Sequence, residues 1–464
     1  MERRRTAALC VCAFAVGFNM TLLTPFAPFY IRDLGLVDDP RRPGYYLGWL
    51  LAAPQLGRVL MSMVWGRWSD RHGRRPVLQI GLLFMVLLSI LFPLCGDFIL
   101  AVGLRFVGGV TDFIWGTCRT LVSEAFPKEQ HARAISLLTA SFSGSLILGP
   151  VAGGLLARPA LKYPALVAPE SMLAAYPYLL PFLLNAAISL LALWCTALIP
   201  ETVQVRQTSC CGRTASSYSE LAASEENEGG SADAPVGVGK PVSSRAFCSD
   251  RTARLVSLHL TLTELMEFAN MGLQPLWASA PREVGGLGFG SNELGVLMST
   301  AAIVIIFAQL FAYPRLDGRL GALQTMQLCT CLELPWWLLM PSIAGWSHGS
   351  TARLWGLAVL SRARSVFAEL KFCALLLLIN NAVRSDQRGA FNGFTTAVSG
   401  VGKVVGPALI APLFAWSITD GEALGFPLNH WLAFLCCAGC TVGTLALGHR
   451  MPASLALPLE EPRE

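Results

Sequence analysis

Charge is scarce in this sequence of 464 residues: Asp, Glu, Lys and Arg make up 14%, against 53% hydrophobic residues. A water-soluble chain of this length needs far more charge to cover its surface, so the deficit excludes an ordinary soluble globule and points to lipid as the solvent. Histidine is scarce too, with six in all. Only His259 falls near the middle of an apolar run, and a lone membrane histidine is more often structural than a ligand. The sequence carries no phosphate-binding glycine loop of the ATPase type and no zinc-protease helix motif. An enzyme is therefore not expected, and neither is a cofactor. No small-residue cleavage site follows Met1-Glu-Arg-Arg-Arg5, so the first apolar run is expected to stay as a membrane helix. A net charge of +5, with the basic residues in short clusters between apolar runs, excludes a nucleic-acid-binding face. Most of the 14 cysteines, Cys10, Cys12, Cys195, Cys373, Cys436, Cys437 and Cys440 among them, lie inside apolar runs. They read as small packing residues rather than as disulfides or metal ligands.

What is present is a series of apolar stretches. A helix needs roughly 20 apolar residues to cross the hydrocarbon core. About twelve such segments fall near 7–30, 45–65, 76–95, 98–118, 134–156, 178–199, 254–277, 292–313, 322–342, 355–379, 390–415 and 429–448. Residues 202–252 change character to Ser, Glu, Gly and Pro, as in Glu225-Glu-Asn-Glu-Gly-Gly-Ser231, and are expected to be a disordered linker. The division is thus a six-helix bundle over 1–201, the linker, a second six-helix bundle over 253–450, and a tail from 451 to 464. Most of the 35 lysines and arginines fall in the two ends, the linker and the loops on their side of the bilayer. The positive-inside rule then places both termini in the cytoplasm.

The halves echo each other. Trp65-Gly-Arg-Trp-Ser-Asp-Arg-His-Gly73 follows the second span and Tyr313-Pro-Arg-Leu-Asp-Gly-Arg-Leu-Gly321 the eighth. Arg67, Arg71 and Gly73 match Arg315, Arg319 and Gly321 at one constant offset. Two repeats packed about a midplane cavity is what such symmetry means in transporters.

Ionisable residues inside spans are the sharper signal, since each costs on the order of 2.5–3.5 kcal/mol at the bilayer centre unless paired or wetted. Arg58, Arg105, Asp112, Glu264, Glu267, Glu369, Lys371 and Lys403 qualify. Arg105 and Asp112 are two helical turns apart on one face, too far to pair directly, so their partners must come from other helices. Glu264 and Glu267 are neighbours on the seventh span, and two carboxylates in a low-dielectric cavity resist joint ionisation. With Arg105 and Asp112 they are the proton-coupling candidates, Glu267 ahead of Glu264; the bland alternative is a structural pair held by Arg or Lys from another helix. Asn19, Gln55, Arg58, Asn270, Glu369 and Lys403 are candidates for the substrate cavity. On the tenth span Arg362 and Glu369 share one face and Arg364 and Lys371 the other. Proline marks positions where broken helices are expected: Thr24-Pro25, Ala27-Pro28, Gln274-Pro275 and Gly406-Pro407.

Gly66-Arg-Trp-Ser-Asp-Arg-His-Gly-Arg-Arg75 resembles the loop signature of the major facilitator superfamily, and Leu104-Arg-Phe-Val-Gly-Gly109 its fourth-helix motif. Gly144 with Gly149-Pro-Val-Ala-Gly-Gly154 resembles its fifth-helix motif, associated with antiporters. By that resemblance Gly66, Asp70, Arg71, Gly73, Arg74 and Arg75 form a cytoplasmic gate, and Gly144, Gly149, Pro150, Gly153 and Gly154 a helix-packing face. Tyr30-Ile-Arg-Asp33, Ala157-Arg-Pro-Ala-Leu-Lys-Tyr-Pro164, Pro281-Arg-Glu-Val-Gly-Gly-Leu287 and Gln387-Arg-Gly-Ala-Phe-Asn-Gly393 are similar to the zinc-induced facilitator-like group. Two departures stand out: residues 1–9 lack the group's N-terminal cysteines, and residues 202–252 lack its histidine, which weakens any zinc-specific reading.

The resemblance implies an all-α, twelve-helix fold with two six-helix bundles around a central cavity. It also implies proton-coupled antiport or export of a small organic solute or metal chelate. A uniporter of the same fold and a non-transporting membrane receptor or sensor are the alternatives. Protons, a small solute and the bilayer are the expected partners of a monomer in the plasma or vacuolar membrane.

Overall fold

A computed structural model describes residues 2–37, 39–126, 128–168, 170–199, 244–346, 350–384 and 387–456. All regular structure among them is helical. In the first half α1 (Glu2–Thr21) and α2 (Ala27–Asp33) make the first crossing, and α3 (Gly44–His72) and α4 (Arg74–Leu91) the next two. The fourth is made by α5 (Phe98–Val110) and α6 (Ile114–Ala125), the fifth by α7 (Lys128–Leu156). After two short turns of helix, α8 (Pro159–Lys162) and α9 (Met172–Ala175), α10 (Leu179–Cys195) makes the sixth.

In the second half a short α11 (Ser244–Ser249) leads into α12 (Arg251–Ser279). There follow α13 (Ser291–Phe307), continued by α14 (Tyr313–Leu320), then α15 (Ala322–Leu339), α16 (Ser350–Asn381), α17 (Arg388–Ser417) and α18 (Leu432–His449). The result is the twelve-helix membrane fold. Nine of these stretches are long and apolar enough to span a bilayer among the described residues. The first, seventh and tenth crossings fall outside that composition test: the first carries the basic N-terminus, and the seventh and tenth each hold several charges.

The breaks have local causes. Between α1 and α2, Pro25 has no backbone N–H to donate and keeps Thr24 out of helical geometry, while Pro28 suits the first turn of α2. The Asp97 carboxylate caps α5 by accepting from Leu100 N (2.9 Å), and Asp250 caps α12 through Thr252 N and Ala253 N. Gly73 and Gly321 end α3 and α14 at φ +102° and +78°, backbone that glycine adopts without a Cβ penalty. The sequence echo thus becomes one turn used twice.

The helices depart from the sequence reading at four places. Residues 244–249 and 251–252 are helical rather than linker: Phe247 of α11 packs at a tilt against Phe391 and Phe394, and α12 begins at Arg251. The rest of 202–252 lies outside the described residues. Pro275 and Pro407 do not break their helices. A Cβ at Gly402 or Gly406 would strike the carbonyls of Thr261 or Leu265, so α12 and α17 pack backbone to backbone, and each continues through its proline. A break that the sequence did not suggest falls at residues 111–113 between α5 and α6, where Thr111 turns its hydroxyl back to the carbonyl of Val107. Finally, Ala308–Ala312 forms a π-helical turn in the eighth crossing.

Helices alternate in direction, so the start of α1 and the ends of α10 and α18 share one side, here the terminal side. The halves join along two seams, α3 with α17 and α7 with α13. Glycine makes both close. Gly44 and Gly48 lie against the backbone of Ala411 and Pro407, and Gly154 against Ser291 and Gly295. These contacts sit in the far-side portions of the helices. Nearer the terminal side the same helices carry exposed apolar residues, Leu60 and Met63 on α3, Ile135 on α7 and Ile303 on α13.

Candidate functional site

A partly open cavity is walled mostly by the first half and bordered by the second. Asn19 of α1, Pro54, Gln55 and Arg58 of α3, Leu104 and Arg105 of α5 and Asp112 line it from the first half, and Phe268, Met271 and Pro407 from the second. Helix crossings bring these side chains together. Gly109 of α5 lies against the Pro54 carbonyl and Gly57 of α3 against the Phe106 carbonyl, so the two helices touch at backbone distance. That approach sets Arg58 beside Gln55 and Asp112.

Arg58 donates to Gln55 Oε1 (2.8 Å) and forms a short ion pair with Asp112. The break between α5 and α6 presents Asp112 to α3, so the carboxylate does find its partner on another helix. Arg105 stands nearby, and its Nε has no hydrogen-bond partner among the described residues. The wall therefore carries two guanidinium groups and one carboxylate. Asn19 accepts from Asn185 Nδ2 (3.0 Å), which also donates to Ser89 (2.7 Å). Asn185, wholly buried on α10, was absent from the sequence-based set, although an amide inside an apolar span is a readable signal.

Four more in-span ion pairs sit in the second half. Lys403 of α17 reaches Glu264 of α12 at 3.1 Å and lies over the Phe268 ring. Arg364 of α16 grips both oxygens of Glu267, at 2.9 and 3.3 Å. Arg364 also meets Glu333 of α15 at 3.2 Å, and Lys371 meets the other oxygen of Glu333 at 2.6 Å. Arg364 is 2% exposed, Glu333 and Lys371 are fully buried, and Glu267 is 35% exposed. Glu267 does not itself line the cavity, but its neighbour Phe268 and Met271, one turn further along α12, do. The adjacent carboxylates are thus each held by a base from another helix.

Glu333 was missed by sequence reasoning, though a glutamate in an apolar span is the same signal as the others. The two faces read on the tenth span do separate. Arg364 and Lys371 turn to Glu333, while Arg362 donates to the Leu297 carbonyl (2.6 Å) and Gln309 of the π turn donates to Glu369 (2.5 Å). Of the six residues expected in the substrate cavity, Asn19, Gln55 and Arg58 line it, whereas Asn270, Glu369 and Lys403 do not; Asn270 is buried in α12.

At the terminal side Arg74 donates to Ser69 across the Gly73 turn (2.9 Å). Gly66 is exposed, with nothing within 4 Å of a would-be Cβ. Arg71 is exposed, Arg75 half-buried, and the Asp70 side chain lies outside the described residues. On α7, Gly149 meets Thr21, Gly153 meets the Leu22 carbonyl, Gly154 meets α13, and Pro150 lends its carbonyl to the Gly295 contact. Gly144 has no neighbour within 4 Å and takes no part.

The far side is held by loop residues. Arg158, in left-handed backbone, pairs with Asp33, which also accepts from the Tyr178 hydroxyl (2.5 Å). Lys162 donates to the Gly154 carbonyl and to Ser291 Oγ (2.9 Å), tying one half to the other. Burial, and then the nearby Arg158 charge, lower the Lys162 ammonium to about 8. Among the described residues no group of three or more His, Cys, Asp or Glu is placed to hold a metal ion.

Comparison with known proteins fits this geometry. Residues 9–225 match the family model described as Major Facilitator Superfamily. The chain is 30% identical to Protein ZINC INDUCED FACILITATOR 1 of Arabidopsis thaliana, over 92% of this chain and 87% of that one. It is likewise 30% identical to Protein ZINC INDUCED FACILITATOR-LIKE 1 of the same plant, over the same shares. Among solved structures it superposes on a D-xylose-proton symporter with a TM-score of 0.70 at 12% identity, covering 99% of this chain and 100% of that one. A bacterial homologue of the human lysosomal transporter Spinster, inward-facing and occupied, gives 0.70 at 14% identity over 98% of each. A multi-pass chain of this fold, with these motifs and these relatives, belongs to the major facilitator superfamily, in its zinc-induced facilitator-like group.

Proposed function

We propose that this chain is a proton-coupled antiporter that exports a small organic solute or a metal chelate by alternating access. Glu267 carries the reading. It is a part-exposed carboxylate on α12, next to the cavity-lining Phe268 and bound by a single, buried arginine from α16. Such a group has two states of similar cost. Ionised, it is neutralised by Arg364; protonated, it releases Arg364 and the two helices are free to shift. Glu264 with Lys403 and Asp112 with Arg58 are secondary proton sites of the same design. The unmatched Arg105 in the cavity wall suits an anionic group on the solute, by charge and by its planar fork of donors.

In this account the two bundles, 1–201 and 253–450, rock about the cavity, with Gly149, Pro150, Gly153 and Gly154 as a sliding face. The far-side seams are closed, and the terminal side is the open mouth. Both termini lie in the cytoplasm of a monomer in the plasma or vacuolar membrane. The turn from Gly66 to Arg75, with its Gly73 and Arg74–Ser69 contact, forms the cytoplasmic gate.

The test is counterflow in vesicles loaded in turn with organic anions, metal chelators, drugs and potassium. One member of the panel should move outward as protons move inward, and Glu267→Gln should abolish the pH dependence while the protein stays folded. Solute movement with no accompanying proton flux would leave a uniporter instead.

A further inference from the structure

Beyond Glu267 lies a line of charge that reaches no solvent. Arg364 Nη1 is shared between Glu267 Oε1 at 2.9 Å and Glu333 Oε1 at 3.2 Å. Glu333 Oε1 also accepts from Trp337 Nε1 (3.3 Å), and Glu333 Oε2 is held by Lys371 (2.6 Å). The Arg364 guanidinium lies over the Trp337 ring, 4.7 Å from its centre. Read from Glu267 inward the charges alternate: minus, plus, minus, plus. The innermost pair, Glu333 and Lys371, is wholly buried and does not line the cavity.

We infer that Glu333 is a positioning residue whose charge, balanced by Lys371 and passed on through Arg364, sets how readily Glu267 takes up a proton. The inference rests on the reading of Glu267 as the proton carrier and adds its control. Arg364 has a fixed charge and a fixed number of donors. Whatever Glu333 takes from it, Glu267 loses. Lys371 in turn limits what Glu333 demands. Simple packing does not need this arrangement: apolar side chains of similar volume would join α15 to α16 as well.

The consequence is a signed pattern. The quartet sums to zero. Neutralising Glu333 leaves a surplus positive charge next to Glu267 and holds it ionised to lower pH. Neutralising Lys371 leaves a surplus negative charge, which draws Arg364 inward and lets Glu267 protonate at higher pH. Neutralising both restores the sum. Other groups near Glu267 are common to all the variants: Glu264 on its own helix with Lys403 of α17, Glu369 of α16 with Gln309, and Cys437 of α18 beside Arg364.

Infrared difference spectra, titrated with pH on the full chain in phosphatidylcholine vesicles, read carboxyl protonation directly. The Glu267 band is identified by its loss in Glu267→Gln. Its midpoint should fall by about one pH unit, a tenfold change in proton affinity, in Glu333→Gln, and rise by a similar amount in Lys371→Met. In the double variant it should return to within a few tenths of the native value. If a single variant fails to fold, Trp337→Phe removes one donor from Glu333 without changing charge, and should raise the midpoint slightly. Unmoved midpoints, or shifts of one sign in both single variants, would overturn the inference. Shifted midpoints in a protein that moves solute without protons would instead refute the antiport reading and leave this one standing.

Discussion

The two halves of the molecule handle in-span charge in opposite ways. In the first half Arg58 and Asp112 form one partly exposed pair at the cavity wall, and Arg105 stands beside them without a carboxylate of its own. In the second half the carboxylates near the cavity are matched, and the matching continues inward through Arg364 and Glu333 to Lys371. A wetted charge is stabilised by water and is free to exchange partners. A buried one is fixed by the partners it has, because losing one strands the other in a medium that cannot solvate it. The first half thus suits binding, and the second suits a defined response to one proton.

Breaking the buried chain should have the largest effect. Arg364→Met leaves Glu267 without its base and Glu333 with Lys371 alone, and should cost about 3–5 kcal/mol of stability, read as a fall in the melting temperature of detergent-purified protein. The corresponding damage in the first half is smaller. Arg58→Gln, at a residue whose side chain is 33% exposed, should change stability by less than about 1 kcal/mol, yet it should suppress exchange in vesicles. Equal loss of stability at the two sites would erase the distinction.

Where the halves meet, Gly154→Val puts side-chain atoms into the backbone of Ser291 and Gly295. A penalty of about 1–3 kcal/mol should fall on the far-side-closed state alone, and cysteines placed at the far-side mouth should become more reactive. The Lys162 tie gives a gentler probe of the same seam. Its ammonium has been lowered from an ordinary 10.5 to about 8, so the closed seam disfavours the charged form. Raising the pH from 8 toward 10.5 should therefore tighten the far side, as a decrease in the same cysteine reactivity, and Lys162→Met should remove that dependence. Smallest of all, Gly66→Ala meets open space and should shift stability by no more than about 0.5 kcal/mol, whereas Gly73→Ala, at φ +102°, should cost at least about 1 kcal/mol.

The architecture was legible in the sequence because it depends on composition and period. Runs of about twenty apolar residues, the repeated glycine turn and the basic loops each follow from bilayer thickness or from backbone sterics. Prolines misled at Pro275 and Pro407, since a missing hydrogen bond is tolerated where a neighbouring helix holds the segment, and that is a fact of packing. The in-span charges were legible as a set, except Glu333, but not their pairing. That Asp112 turns to Arg58 and Glu264 to Lys403 depends on which helices cross, and Gly57 and Gly109 fix one crossing while Gly402 and Gly406 fix the other. Gly66 and Gly144 show the limit of motif reading, since neither meets a neighbour.

Spin labels on Ile135 and Ile303, at the terminal-side ends of α7 and α13, and on Leu161 and Leu424, at the far side of the two halves, test the rocking of those halves most directly. All four side chains are exposed. When the pH is lowered through the titration of Glu267, the account predicts that the terminal-side distance shortens as the far-side distance lengthens, and that Glu267→Gln abolishes the pH response of both. Distances that stay fixed, or that move in the same direction, would contradict it.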